Sequence, residues 1–166
     1  LLIGSKNADT LKGLGGADQI YGGDGGDTIE GGDGNDTLYG EGDNDIIRGG
    51  DGVDVIYGGD GNDTLADSGD STIYGNGGDD YISGSYISGL KVYGGEGNDT
   101  ISGATFHTVD AGDGDDYVTL SSGQPGEKPS LIKGGEGNDT LNFGWYGWNG
   151  ISIDWSAVSG FEEIKL

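Results

Sequence analysis

The chain has 166 residues, of which 30 are acidic and 7 basic, for a formal net charge of -23 at pH 7. No basic patch is present to neutralise phosphates, which argues against nucleic acid as a partner. No apolar run reaches the roughly 18–20 residues of a membrane span, and the absence of cysteine leaves no disulfides to replace a thin core.

Apolar residues make up only 31% of the chain, while glycine fills 40 positions. That composition would read as disorder if glycine and aspartate were not held at fixed offsets. They recur in a nonapeptide, Gly-Gly-x-Gly-x-Asp-x-apolar-x. Its cleanest copies begin at Gly22, Gly31, Gly49 and Gly58, and later copies at Gly94, Ala111 and Gly134. The opening Leu1-Leu2-Ile3, without methionine, reads as a piece of a longer protein.

A fixed short period decides architecture before any single residue does. Position 8 of the repeat is apolar from Leu11, Ile20, Ile29 and Leu38 through Ile47, Ile56, Leu65, Ile73 and Ile82. It stays so at Val92, Ile101, Val109, Val118, Ile132 and Leu141. One inward residue between two outward ones predicts a three-residue strand, and the GGxGxD stretch before it predicts a turn. Strand, turn, strand, turn closes one coil every two repeats. The expected fold is therefore all-β, a parallel β-roll of stacked 18-residue coils with a thin apolar core.

Two turn columns follow. In the first, position 6 reads Asp9, Asp27, Asp45, Asp63, Asp80, Asp99, Asp116 and Asp139. In the second it reads Asp18, Asp36 and Asp54, and then Ser71, Leu90 and His107. The second side also carries the length changes, including an insertion, Ser121 to Ser130, that holds both prolines. Carboxylates stacked one coil apart would lie within about 5 Å of each other and repel. A hard divalent cation held by aspartates and by carbonyls exposed in the glycine turns relieves this. Calcium suits such a flexible oxygen cage better than magnesium, and a chain with one histidine and no cysteine disfavours zinc and copper.

These repeats resemble the RTX, or hemolysin-type, calcium-binding nonapeptides of secreted bacterial proteins, a repeat known to bind calcium in a parallel β-helix. The resemblance covers roughly residues 4 to 142. It implies a right-handed β-roll with calcium between successive turns of one side, and the two aspartate series above as carboxylate ligands. The backbone carbonyls would come from turn residues such as Gly22, Asp24, Gly31, Asp33, Gly49, Asp51, Gly58, Asp60, Gly94 and Glu96. Seven neighbouring pairs in the first column and two in the second give about nine ions. The resemblance also implies export by type I secretion machinery from a Gram-negative bacterium, to the medium or the cell surface. Folding would then be coupled to calcium, because the site exists only in the folded state.

Beyond the aspartates, position 9 places Tyr21, Tyr39, Tyr57, Tyr74 and Tyr93 in a ladder along one sheet. The ladder is read first as sheet-stabilising stacking, with a platform for polysaccharide as the alternative. A threonine row at position 7 is interrupted by Ile46, Tyr81 and Tyr117, so strand propensity explains it. No nucleophile–base set supports His107 as a catalytic residue, and the expectation is a non-catalytic module. The chain divides into the roll, residues 1–142 with a loop at about 120–133, and an aromatic-rich cap, residues 143–166. That cap contains Trp145, Tyr146, Trp148, Trp155 and Phe161, with Trp145 and Trp148 as a second candidate ligand surface. The competing function is a polysaccharide- or surface-binding module of an adhesin, surface-layer protein or polysaccharide-modifying enzyme.

Overall fold

The structure is a computed structural model that describes residues 1–84, 89–103, 108–120, 131–144 and 158–165. Its strands begin with β1 (Leu2–Ile3), β2 (Thr10–Gly15), β3 (Gln19–Gly23), β4 (Thr28–Asp33), β5 (Thr37–Gly42) and β6 (Ile46–Asp51). They continue with β7 (Val55–Asp60), β8 (Thr64–Asp67), β9 (Thr72–Gly77), β10 (Tyr81–Gly84), β11 (Lys91–Glu96) and β12 (Thr100–Gly103). The last six are β13 (Thr108–Asp113), β14 (Tyr117–Leu120), β15 (Leu131–Glu136), β16 (Thr140–Phe143), β17 (Val158–Ser159) and β18 (Glu163–Lys165).

Odd-numbered strands form one nine-stranded sheet and even-numbered strands the other. Every pairing is parallel, and in the early coils each residue lies opposite the one 18 positions later, as in Ile29↔Ile47 and Leu38↔Ile56. This is the parallel β-roll expected from the period. The first-column turns lead into the even-numbered strands and the second-column turns into the odd-numbered ones.

Alternation places position 8 inward on both sheets, so two single-file rows of aliphatic side chains meet along the axis. Every position-8 residue from Ile20 to Leu141 is fully buried, while Leu11, at the open end, is partly buried. Leu90, Leu120 and Phe143 join this core from the second-column side. There the carboxylate series has ended, and apolar side chains fill the space that aspartates occupy in the earlier coils.

Most strands are longer than the three residues predicted, reaching six in β4, β6 and β7. Parallel pairing resumes beyond position 9, as in Gly32↔Gly50 and Asp33↔Asp51, but omits position 1 in every six-residue pair, for example Gly31 and Gly49. Each turn therefore begins with a local break in the pairing at position 1.

At the C-terminal end, β17 pairs with β15 and β18 with β16, so both sheets gain one more strand. Val158 and Phe161 pack against the core. Neither β17 nor β18 carries the repeat signal. Trp145, Tyr146, Trp148, Trp155, His107 and the insertion Ser121–Ser130 lie outside the described residues.

Backbone conformation explains which glycines the repeat requires. Positions 2 and 4 take positive φ in turn after turn, as at Gly50 (116°) and Gly52 (145°). Four non-glycine residues are held in the same left-handed region: Leu14, Glu41, Asp43 and Asn76. Leu14 and Glu41 have no local side-chain hydrogen bond to favour it, so each carries backbone strain. Glu41→Gly is expected to stabilise the roll by about 1 kcal/mol. The neighbouring Gly59→Ala should destabilise it by more, since a Cβ there would lie 2.1 Å from the Glu41 carbonyl oxygen. Thermal unfolding of the two variants in the presence of calcium checks both signs.

Candidate metal sites in the turn columns

Each first-column aspartate from Asp27 onward uses one carboxylate oxygen to hold the coil before it. Asp9 N–H donates to Asp27 Oδ1 at 2.7 Å, Asp27 N–H to Asp45 Oδ1 at 2.6 Å, and Asp45 N–H to Asp63 Oδ1 at 2.7 Å. The ladder continues through Asp80, Asp99 and Asp116 to Asp139. The second column repeats it from Asp18 to Asp36 to Asp54. All eleven aspartates predicted as ligands therefore stand in two continuous series.

From Asp27 and Asp36 onward the other carboxylate oxygen has no protein partner, whereas Asp9 Oδ2 already accepts from Ser5 N–H at 2.7 Å and Ser5 Oγ at 2.8 Å. Oδ2 of Asp27, Asp36, Asp45, Asp54, Asp63, Asp80, Asp99, Asp116 and Asp139 is buried without a hydrogen bond. An unpaired buried carboxylate oxygen is costly, and here the cost repeats at every coil. The position-1 glycines show where these oxygens point. A Cβ built on Gly22 would lie 2.4 Å from Asp27 Oδ2 and 2.7 Å from the Gly40 carbonyl oxygen. The same cradle recurs at Gly31 with Asp36 Oδ2 and the Gly49 carbonyl, at Gly40 with Asp45 Oδ2 and the Gly58 carbonyl, and at Gly75 with Asp80 Oδ2 and the Gly94 carbonyl.

Each step thus gathers a buried carboxylate oxygen and a carbonyl oxygen from the next coil around a space that a side chain at position 1 would fill. The position-1 carbonyls of Gly22, Gly31, Gly49, Gly58 and Gly94 all face such a cradle. Among the position-3 carbonyls predicted with them, those of Asp33, Asp51 and Glu96 already accept a backbone N–H from the preceding coil. Among the described residues no three acidic or histidine side chains converge on one point. The donor set is mixed carboxylate and carbonyl oxygen, the chemistry of a hard cation such as calcium.

Burial raises the carboxyl pKa of Asp45, Asp54, Asp63, Asp80, Asp99, Asp116 and Asp139 against the lowering effect of the ladder hydrogen bond. Asp45 and Asp63 are pushed up to about 7, Asp54, Asp80 and Asp116 to about 6, and Asp99 to about 8. Neighbouring aspartates in the column add to the upward shift.

Three features of the turns were not read from the repeat pattern. The first column does not stop at Asp139, because Asp139 N–H donates to Glu162 Oε2 at 2.7 Å, and the Gly160 carbonyl enters the Gly134 cradle beside Asp139 Oδ2. No nonapeptide signal marks Glu162, and only the addition of β18 to the sheet brings it there. Next, from Asn44 to Asn138 the residue before each first-column aspartate forms a second, exposed ladder running the other way. In it Asn62 N–H donates to Asn44 Oδ1, Asp79 N–H to Asn62 Oδ1, and Asn98 N–H to Asp79 Oδ1. The recurrent Asn-Asp pair was visible in the sequence, and its asparagine satisfies the turn backbone. Finally, Asp67 carries a further orphaned buried Oδ2.

The tyrosine ladder forms as predicted. Successive rings from Tyr21 to Tyr93 stack with centroids 4.6–4.9 Å apart and planes within 11° of parallel. Tyr39, Tyr57 and Tyr74 have a neighbouring ring on each face, so the ladder turns ring edges and hydroxyls toward solvent. On the other sheet, Lys12 pairs with Glu30 at 2.5 Å between exposed side chains, a contact worth little to stability.

The family comparison agrees with this geometry. The model of the RTX calcium-binding nonapeptide repeat matches residues 1–29, 30–65, 66–85, 91–106, 108–124 and 126–145. The chain belongs to the RTX calcium-binding repeat family. Its repeats bind calcium, and the family is structural rather than catalytic. No curated protein matches the chain.

The raised carboxyl values carry a pH consequence with a definite sign. A carboxyl whose folded pKa lies above its unfolded value of 3.8 favours the fold at low pH, and that contribution is lost as pH rises through about 6 to 8. Calcium-free protein should therefore gain strand signal on acidification from pH 8 to pH 5. The calcium concentration needed to complete folding should fall over the same interval, because protons already neutralise part of the same carboxylates. Circular dichroism at the two pH values, with gel filtration to exclude aggregation, measures both.

Proposed function

We propose that this chain is a calcium-driven folding module of a secreted bacterial protein, ordered by the ions it binds and stabilising whatever is attached to it. The observation that carries this reading is the file of buried Oδ2 oxygens without partners, repeated coil after coil along the first column. Without a cation, each coil adds a buried carboxylate to a thin core, in a chain of net charge -23. Such a chain gains too little from apolar burial to offset its conformational entropy. With calcium, the binding free energy becomes folding free energy.

In this reading, residues 1–142 are the calcium-binding roll and residues 143–166 close its end. The aspartate pairs hold about nine ions, and Glu162 extends the first column by one step. Bound calcium would supply the positive charge that Oδ2 and the position-1 carbonyls face, neutralising the column and locking each coil to the next. A chain that stays unfolded at low calcium can pass the channel of type I secretion machinery and fold outside the cell, where calcium is abundant. The family's association with calcium supports this reading. The stacked tyrosines support a structural ladder over a polysaccharide platform, since sugar stacking needs free ring faces.

The deciding experiment is far-UV circular dichroism of metal-free protein during titration with calcium, with magnesium as control. A cooperative coil-to-strand change with calcium alone is expected. A full strand spectrum in excess chelator would overturn the proposal. Asp63→Asn, in the middle of the first column, should raise the calcium midpoint and lower the cooperativity of the same titration.

A further inference from the structure

The second turn column breaks its pattern at Ser71, where the turn after β8 is one residue short. Asp54 N–H, which would meet an aspartate Oδ1 in a regular coil, instead donates to Ser71 Oγ at 2.7 Å. The serine hydroxyl keeps the backbone hydrogen bond but brings no charge. Read from position 6 alone, the column therefore loses its second carboxylate at this step.

The carboxylate reappears one turn position away. Asp67 occupies the position-1 place in its coil, where Gly49 stands one coil earlier, and its side chain turns back toward that coil. A Cβ built on Gly49 would lie 2.5 Å from Asp54 Oδ2 and 2.7 Å from Asp67 Oδ1. In the regular cradles the second of these atoms is a backbone carbonyl oxygen. Here a carboxylate oxygen replaces it.

Both side chains are buried, Asp54 at 0% and Asp67 at 6% exposure. Oδ2 of each is without a partner. Asp67 Oδ1 accepts only a long bond, 3.3 Å, from Gly50 N–H, and the adjacent Ser68 Oγ donates to the Gly50 carbonyl at 3.1 Å. No ion pair among the described residues involves Asp67. Two carboxylates converging on one point without a cation repel each other, and no described ion pair neutralises either of them. Asp67 also lines a groove with Arg48, Ala66, Ser68 and Ser83.

We infer that Asp54 and Asp67 form a divalent cation site that ends the second column, with Asp67 supplying the charge that Ser71 lacks. The step keeps an aspartate in each of its two coils, but the second stands at position 1, where its carboxylate enters the cradle in place of a carbonyl, rather than at position 6. The next coil places Leu90 at position 6, inside the apolar core, so the column ends here. The inference rests on the calcium-binding reading of the columns and names a ligand outside the repeat consensus.

Native mass spectrometry of calcium-saturated protein tests it. Asp67→Asn, which keeps the size and an acceptor oxygen, is expected to bind one calcium ion fewer than the wild type. Adding Ser71→Asp to that variant should restore the ion, because it returns the charge to position 6. Equal ion counts for the wild type and Asp67→Asn would overturn this site and leave the remaining columns standing. A wild type that binds no calcium would overturn the functional reading and the site together. If Asp67→Asn fails to fold, anomalous scattering from wild-type crystals grown with terbium decides. A peak between Asp54 and Asp67 supports the site, and a peak confined to the regular steps rejects it.

Discussion

Stacking identical coils places every carboxylate directly over its predecessor, and this constraint governs the rest of the molecule. Parallel strands repeat at about 4.8 Å, so an aspartate at a fixed turn position has a like charge one strand spacing above and below. The turns divide the work of each carboxylate. Oδ1 closes a hydrogen bond to the preceding coil, which fixes register, while Oδ2 stays buried and unpaired. The first oxygen fixes the register of the fold, and the second is left without a protein partner.

Glycine makes that division possible for two different reasons. At positions 2 and 4 it permits the left-handed turn that brings successive coils into contact. At position 1 it leaves empty the space toward which Oδ2 and a carbonyl oxygen converge. A side chain larger than hydrogen at position 1 would fill the cradle. Where the second column no longer needs cradles, position 1 becomes Leu120 and Phe143, and these residues join the core. The two sides of the roll thus use different chemistry beyond the fourth coil. The first side keeps its carboxylates to Asp139, and the second becomes apolar.

The outer faces of the sheets are organised by the same translation. Tyrosines repeated at position 9 stack face to face because the coil spacing is close to the thickness of paired aromatic rings. Asparagine and aspartate at position 5 form an exposed ladder beside the ligand ladder, opposite in direction, so adjacent turn N–H groups are each satisfied from a different coil. Side chains on every face are held by their own copies in the next coil, which makes the roll nearly one-dimensional in its stability.

By itself the sequence determined the period, the parallel roll, the inward row from Leu11 to Leu141, the tyrosine ladder and the two aspartate series. All of these follow from translation, since a residue repeated at a constant offset must stack on itself. Tertiary structure decided what translation does not encode. Which carboxylate oxygen is used for register and which is left free depends on the turn's three-dimensional path. Asp67 stands at a position the consensus gives to glycine, and only its orientation toward Gly49 brings it beside Asp54. Glu162 lies beyond the repeats, and it reaches the first column because β18 pairs with β16 and sets the segment in register. Periodicity is legible in one dimension, whereas a carboxylate supplied from outside the period becomes visible only when the chain is folded back on itself.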